Sequence, residues 1–128
     1  MPELKNTFPK AEHLCGKTAI DKLYAEGKTF LSYPVRIVFR ETPKEEVPAR
    51  CLVNAPKRKF KHATDRNRIK RQIREAYRKN KHELYQSLEE KEYQLHLAIT
   101  YIGDKIESTG FVEKKIKSAL AKLIEKLP

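Results

Sequence analysis

The chain has 128 residues, of which 35% are charged and 39% hydrophobic, and it carries a formal net charge of +11. This length predicts a single domain over residues 1–128 that buries a core without disulfide or metal staples, with residues 1–10 as a flexible, polar N-terminal segment. No apolar run approaches the length of a membrane span and no signal-peptide pattern opens the chain, so the composition argues against a membrane protein and favours a cytoplasmic one.

The two cysteines stand apart from each other and from any repeated Cys/His spacing. Cys15 and Cys51 are therefore predicted to be buried, reduced thiols of a cytosolic protein rather than a disulfide. His13 and Cys15 are close enough in sequence for half of a metal site, but the other histidines supply no matching half. We predict no dedicated metal site in this chain.

The first apolar pattern along the chain is helical. Its members have the spacing of one face of a short helix and are Leu14, Ala19, Ile20, Leu23 and Tyr24. Gly27 follows them and suits the left-handed conformation that often ends a helix. We therefore predict a helix that ends at Gly27.

Two extended stretches follow this helix. Residues 29–40 are predicted to be extended, with Tyr33-Pro34 as a candidate break. Their second half alternates, with Val35, Ile37 and Phe39 on one face and Arg36, Val38 and Arg40 on the other. After a loop over 41–48, a second strand at 49–55 ends at Pro56, because proline cannot donate to the sheet ladder.

The next segment holds most of the excess positive charge. Between Lys57 and Lys81 only Asp65 and Glu75 oppose the basic residues, so this window carries +10 of the net +11. The basic residues are Lys57, Arg58, Lys59, Lys61, Arg66, Arg68, Lys70, Arg71, Arg74, Arg78, Lys79 and Lys81. Charge that serves solubility is spread over a surface, whereas a binding site for a polyanion is concentrated. The segment therefore predicts a polyanion-binding surface.

The same window has the pattern of an amphipathic helix that starts between Lys61 and Asp65 and runs to about Ser87. Its apolar stripe consists of Ile69, Ile73, Ala76, Tyr77 and Leu84. The side opposite that stripe, at about 100° per residue, carries Asn67, Arg71, Arg74 and Arg78. A merely solvated face interleaves Glu with Lys four residues apart, whereas this face mostly repels itself. The pattern therefore favours binding to nucleic acid.

The remaining residues predict a strand and a final helix. Residues 93–102 alternate like a strand, and Ser108 or Thr109 can cap a helix whose apolar stripe runs from Phe111 to Leu127. The order of helix, strands, basic helix, strand and helix predicts a small α+β sandwich with helices packed on one sheet.

No residue pattern in the chain is typical of an enzyme active site, and no catalytic residue is predicted. There is no paired-carboxylate or Ser/His/Asp arrangement, and a total of 4 glycines includes no phosphate-binding loop. We therefore expect function by binding, as an RNA-binding or ribosome-associated protein or as a DNA-binding module. The DNA-binding alternative is weaker, because no short helix and tight turn precede the basic helix.

Three stretches together resemble the protein subunit of bacterial ribonuclease P. They are Asn54-Ala55-Pro56-Lys57-Arg58, Ala63-Thr64-Asp65-Arg66-Asn67-Arg68-Ile69-Lys70-Arg71 and Ile73-Arg74-Glu75-Ala76-Tyr77-Arg78. The similarity extends to Ile20, Tyr24 and Gly27, where that family usually has Phe, Phe and Gly. The element order agrees from Leu14 to about Leu127. Arg-Asn-Arg alone would be a weak signal, but its place in this helix and after this strand makes the resemblance specific.

The resemblance implies an α-β-β-β-α-β-α fold with a four-stranded sheet and a left-handed crossover around the basic helix. It implies an accessory subunit of an endoribonuclease that removes the 5′ leader of precursor tRNA, with the catalytic centre in a large RNA subunit. The implied cofactor is Mg²⁺, held by the RNA and the substrate. The implied partners are the ribonuclease P catalytic RNA and precursor tRNA, and neither a membrane nor an obligate protein partner is evident.

The binding residues of the family can be carried over to the matching positions of this sequence. Those implied to contact the catalytic RNA are Arg66, Asn67, Arg68, Lys70, Arg71 and Arg74, with Lys57 and Arg58 on the same basic surface. Those implied to line a cleft for the leader are Ile20, Tyr24, Arg36 and Val38. Ile20 replaces a usual aromatic, which removes one stacking position, and Asp65 adds a negative charge beside the arginines.

Overall fold

The computed structural model describes residues 8–128, so the predicted flexible segment 1–10 lies largely outside the described residues. The helical elements are a 3₁₀ helix (Lys10–Glu12) and α1 (Lys17–Glu26), α2 (Ala63–Asn80), α3 (His82–Glu89) and α4 (Thr109–Lys126). The strands are β1 (Lys28–Ser32), β2 (Val35–Pro43), β3 (Ala49–Asn54) and β4 (Tyr93–Tyr101). This order confirms the predicted α+β class. In the part of the chain described, no helix has the length and apolar character that crossing a membrane requires.

The four strands form one mixed sheet in the order β1-β2-β4-β3. β2 is antiparallel to β1 and to β4, whereas β3 runs parallel to β4 at the edge of the sheet. The predicted extended stretch 29–40 is therefore two strands, joined by a turn at Tyr33-Pro34 with a cis peptide bond. α2 and α3 connect β3 to β4, since parallel neighbours need a crossover. The left hand of this crossover stays a prediction.

Helices cover the two faces of the sheet unequally. α2, α3 and α4 pack on one face, where their apolar stripes meet the inward side chains of the strands. α1 lies on the other face, where Leu23 packs with Val38 and Ala98 in a smaller core. α1 therefore covers the central row of side chains on that second face. The rows on either side of it carry polar residues such as Arg36 and Arg40.

The first helix differs from its prediction at both ends. Leu14 was predicted to lie in this helix but precedes α1. Its amide donates to the carbonyl of Cys51 at 3.0 Å. Gly27 has a φ of −75°, so the predicted left-handed conformation is wrong. A Cβ atom on Gly27 would lie 2.4 Å from the Leu23 carbonyl oxygen and 2.8 Å from Val38 Cγ1. Glycine is required here because the last turn of α1 and the side chain of Val38 on β2 leave no room for a Cβ atom.

Residues 8–16 form an N-terminal strap that runs from one face of the sheet to the other. Phe8 stacks on His13 with 4.0 Å between ring centroids and packs against the larger core. His13 then pairs with Cys51 as an isolated bridge at the outer edge of β3. Gly16 leads into α1 with a φ of 96°, a conformation that side-chain-bearing residues rarely adopt. The strap thereby covers part of an otherwise open strand edge.

The predicted basic helix is broken in two at Lys81. The side chain of Lys81 is 3% exposed, and its Nζ lies 2.5 Å from Oε1 of Glu12 in the strap. Tyr85 donates its hydroxyl to the same carboxylate oxygen. This buried ion pair fixes the end of α2 to the strap, and the buried stripe continues into α3 with Leu84, Tyr85 and Leu88.

The two cysteines do not share the predicted burial. Cys51 is buried in β3, whereas Cys15 is exposed in the strap, and both are free thiols. Burial raises the pKa of the Cys51 thiol far above its ordinary value, so this group stays protonated. The prediction was correct for Cys51 and wrong for Cys15, because the strap reaches the surface before α1 begins.

Candidate nucleic-acid interface

α2 separates a buried apolar stripe from an exposed basic face. The buried residues that the pattern predicted are Ile69, Ile73, Ala76 and Tyr77. The exposed face presents Asn67, Arg68, Arg71 and Arg74. Among residues 8–128, the guanidinium groups of Arg68, Arg71 and Arg74 have no hydrogen-bond or ion-pair partner. Their donors are therefore available to the oxygens of a bound polyanion.

Arg66 and Lys70 lie at the margin of this face. Arg66 donates from Nη1 to the carbonyls of Phe60 and Lys61 at 2.8 and 2.9 Å. It therefore fastens the preceding loop to the first turn of α2. Lys70 is half-buried, as is Arg66. Of the predicted residues on α2, these two are less accessible than the rest.

The acidic residues of this segment have local structural roles. Glu75 forms an ion pair with Arg78 at 2.7 Å. The hydrogen bond from Arg78 lowers the pKa of the Glu75 carboxyl. Asp65 lies in the first turn of α2, where a negative charge is favoured by the helix dipole. Neither acid forms an ion pair with Arg71 or Arg74, so the part of the α2 face that carries these two arginines stays positive.

The loop between β3 and α2 carries the other two predicted basic residues. Lys57 and Arg58 are exposed. Phe60 is buried in the larger core and anchors the loop from below. Lys59 donates from Nζ to the carbonyl of Ile102 at 2.8 Å and so holds the loop to the residue after β4. Lys57 and Arg58 thus extend the basic surface of α2 from a loop that is fixed in place.

The four residues predicted to line a cleft lie on the α1 side of the sheet and differ in accessibility. Tyr24 is 44% exposed, and Arg36 is exposed. Ile20 is half-buried against the core under α1. Val38 is only 4% exposed, because α1 crosses the sheet directly above it. The structure therefore corrects the prediction for Val38 and places it in the core rather than on an open wall.

Sequence reasoning missed two exposed side chains near Arg36. Leu31 in β1 is 66% exposed, and Tyr33 in the following turn is 57% exposed. Leu31 lies directly opposite Arg36 in the pairing of β1 with β2. The turn signal at Tyr33-Pro34 was the one feature of the sequence that could have indicated exposure.

The two sets of residues lie on different faces but meet at one end of the sheet. Arg36 of β2 and Asn54 of β3 both pair with Thr100 of β4, so they share one row. The basic loop begins directly after Asn54, at the end of the sheet where Arg36 lies. Within the described residues, no three His, Cys, Asp or Glu side chains are grouped to hold a metal ion.

Comparison with known proteins points to one family. The family model described as Ribonuclease P matches residues 8–127. The ribonuclease P protein component of Porphyromonas gingivalis is 34% identical over 120 residues, which cover 93% of this chain and 88% of that protein. The ribonuclease P protein component of Chlorobaculum tepidum is 31% identical over 129 residues, with coverage of 93% and 84%.

Solved structures of low sequence identity show the same fold. A Staphylococcus aureus RNase P protein mutant with defective mRNA degradation activity has a TM-score of 0.67 at 17% identity, covering 91% of this chain and 90% of that one. The RNase P protein from Thermotoga maritima has a TM-score of 0.65 at 19% identity, with coverage of 91% and 98%. Both share the four-stranded sheet with its packed helices.

Proposed function

Because the chain belongs to the ribonuclease P protein family, we propose that it docks on the catalytic RNA of that enzyme and holds the 5′ leader of precursor tRNA. Membership makes it a protein component of ribonuclease P. The observation that carries the proposal is the exposed face of α2, where Arg68, Arg71 and Arg74 have no protein partner among residues 8–128. Guanidinium groups on a rigid helix bind phosphate oxygens with defined geometry.

The proposed docking surface for the RNA subunit joins α2 to the loop before it. It consists of Asn67, Arg68, Arg71 and Arg74, extended by Lys57 and Arg58. Arg66 supports this surface by fixing the loop, and Lys70 lies at its margin. Phosphate contacts of this kind position a protein on RNA without reading base sequence. The shape of the folded RNA then decides where the protein docks.

The proposed leader site lies on the α1 side of the sheet. Tyr24 offers an exposed aromatic ring and Arg36 an exposed guanidinium group. A single strand of RNA uses such groups for base stacking and for phosphate binding. Ile20 borders the site, and Val38 supports α1 from beneath. Because every base has a face that can stack, the site accepts leaders of different sequence.

The catalytic centre in this proposal lies in the RNA subunit. Mg²⁺, held by the RNA and the substrate, supplies the chemistry of hydrolysis. The basic face of the protein screens repulsion between RNA segments that Mg²⁺ otherwise has to neutralise. The place of action is the cytoplasm, where bacterial precursor tRNA is made.

Reconstitution with a bacterial ribonuclease P RNA tests this function. The purified protein should not cleave precursor tRNA in Mg²⁺, and adding the RNA should give cleavage at Mg²⁺ concentrations where the RNA alone is slow. A protein with Arg71→Ala and Arg74→Ala should stimulate cleavage by the RNA less than the parent does. The control, Lys114→Ala with Lys117→Ala on exposed positions of α4, should stimulate cleavage as well as the parent. Cleavage by the protein alone, retained after ribonuclease treatment of the preparation, would overturn the proposal.

Tyr24→Ala tests the leader site separately from docking. Loss of one stacked base should weaken binding of precursor tRNA to the holoenzyme about fivefold or more. Mature tRNA and the RNA subunit should bind as before, because neither reaches Tyr24. Thermal melting must accompany the assay, since Tyr24 is only 44% exposed and its ring can also contribute to stability. Equal losses for precursor and mature tRNA, in a variant that melts normally, would place Tyr24 outside the leader site.

A further inference from the structure

At one end of the sheet, two loops are fastened to the same residue. The amide of Ile102 donates to the Pro34 carbonyl at 2.8 Å. The carbonyl of Ile102 accepts from Lys59 Nζ, also at 2.8 Å. The first bond holds the turn between β1 and β2, and the second holds the basic loop between β3 and α2. The turn that contains Tyr33 and the basic loop are therefore held at the same end of the sheet.

This end of the sheet exposes apolar side chains. Leu31 and Tyr33 are 66% and 57% exposed, and with Tyr24 they are the exposed large hydrophobic residues of the described chain. A single exposed apolar side chain is ordinary, whereas neighbouring ones rimmed by polar groups mark a contact surface. Tyr24 belongs to the proposed leader site, which leaves Leu31 and Tyr33 without a role.

Three cations without protein partners among residues 8–128 lie at the same end of the sheet as these two side chains. Arg36 lies directly opposite Leu31, and Lys57 and Arg58 are exposed in the loop that Ile102 holds. Within residues 8–128, none of the three cations forms a hydrogen bond or an ion pair. We call the resulting surface the sheet-end patch; its members are Leu31, Tyr33, Arg36, Lys57 and Arg58.

We propose that the sheet-end patch is a second contact for single-stranded RNA, in which Tyr33 stacks on a base and the three cations bind the flanking phosphates. An aromatic platform beside unpaired cations is the combination that sequence-tolerant single-strand binding uses. The charge of the patch disfavours a second copy of this chain as the occupant, because two copies would bring like charges together.

The proposal rests on the proposed function and extends its leader site. Arg36 belongs to both surfaces, so a strand that contacts Tyr24 and Arg36 can continue onto Tyr33. The protein then holds a longer stretch of the leader than the α1 side alone could hold. The effect of Tyr33 should therefore depend on the length of the leader.

The test uses holoenzyme reconstituted with a bacterial ribonuclease P RNA and precursor tRNAs whose leaders increase in length stepwise. Tyr33→Ala should lower affinity about fivefold or more once the leader is long enough to reach both surfaces. Shorter leaders, mature tRNA and the RNA subunit should bind as they do to the parent protein. Tyr33→Phe keeps the ring and is the matched control, which should bind like the parent at every length.

The possible failures point to different conclusions. If Tyr24→Ala weakens precursor binding and Tyr33→Ala changes nothing at any leader length, the sheet-end patch is overturned and the leader site stands. If neither variant has an effect, both the patch and the leader part of the proposed function are overturned. Self-association of the free protein that Leu31→Asp abolishes, with precursor affinity unchanged, would assign the patch to a second copy and overturn the RNA proposal.

Discussion

Replacing Glu12 with alanine should destabilise the protein far more than the loss of a surface ion pair. The side chains of Glu12 and Lys81 are 11% and 3% exposed, and their charged atoms lie 2.5 Å apart. Tyr85 donates to the same carboxylate oxygen, and its ring centroid is 4.8 Å from Lys81 Nζ. Glu12→Ala would remove the carboxylate that pairs with the buried ammonium group of Lys81, in a place where water has little access.

The size of the effect follows from this burial. Removing one partner of a buried pair costs about 3–5 kcal/mol, whereas an exposed pair contributes about 0.2–1 kcal/mol. Lys79 and Glu113, at 3.6 Å on the surface, form such an exposed pair, so Glu113→Ala is the matched control. Because single domains are stable by only about 5–15 kcal/mol, Glu12→Ala should remove much of the free energy of unfolding.

A double variant separates charge from packing. Glu12→Leu with Lys81→Met removes the desolvation cost together with the attraction, so it should regain most of the stability that Glu12→Ala loses. Urea unfolding measures all four proteins, provided that the denaturant slope is unchanged. A loss under about 1 kcal/mol for Glu12→Ala would refute the reasoning, since Lys81 would then reach water by a small rearrangement. A double variant no more stable than the single one would show that packing of the strap sets the cost.

Three further expectations concern the basic face, the packing of α1 and a histidine. Arg71→Ala or Arg74→Ala should weaken binding to the RNA subunit and reduce its salt slope by about one unit each, with Lys117→Ala as control; a nearly salt-independent affinity of the parent would contradict phosphate docking. Gly27→Ala should lower the free energy of unfolding by about 1–3 kcal/mol, measured by urea unfolding. Unchanged stability would mean that the end of α1 and the side chain of Val38 can shift to make room for the methyl group. Burial and neighbouring arginines lower the pKa of His96. Neutral His96 therefore stabilises the fold fully above the pKa that it has in the unfolded chain, and this stabilisation is lost as the pH falls through its pKa in the folded protein. His96→Gln should therefore flatten the fall in Tm between about pH 7 and pH 5, and an unchanged fall would exclude this role.

The local pattern of residues in the sequence was sufficient to predict the basic face of α2 and the α+β class. Ile69, Ile73 and Tyr77 are buried because helical spacing places them on one side, and this spacing is visible in the sequence alone. The strand alternation of β2 was equally readable. Whether a given strand face is covered is decided by another element, so the burial of Val38 under α1 was not predictable from its own segment.

Long-range contacts decided what the pattern could not show. The break at Lys81 accompanies an ion pair with Glu12, 69 residues away in the chain. Gly27 was expected for a left-handed φ, but the requirement comes from the close approach of the Leu23 carbonyl oxygen and of Val38 on β2. The exposure of Tyr33 depends on how its turn is held by Ile102 after β4. No segment contains the information for these contacts by itself.

The N-terminal strap has a consequence for the synthesis of the chain. Glu12 leaves the ribosome early, but its partner Lys81 follows 69 residues later, a delay of several seconds at about 5–20 residues per second. The sheet is completed later still, because β4 lies between β2 and β3 and is synthesised after both. We therefore expect the nascent chain to fold as one unit and late. Residues 57–81 then emerge as a basic segment without a core behind them, so RNA can meet this segment before the fold is complete.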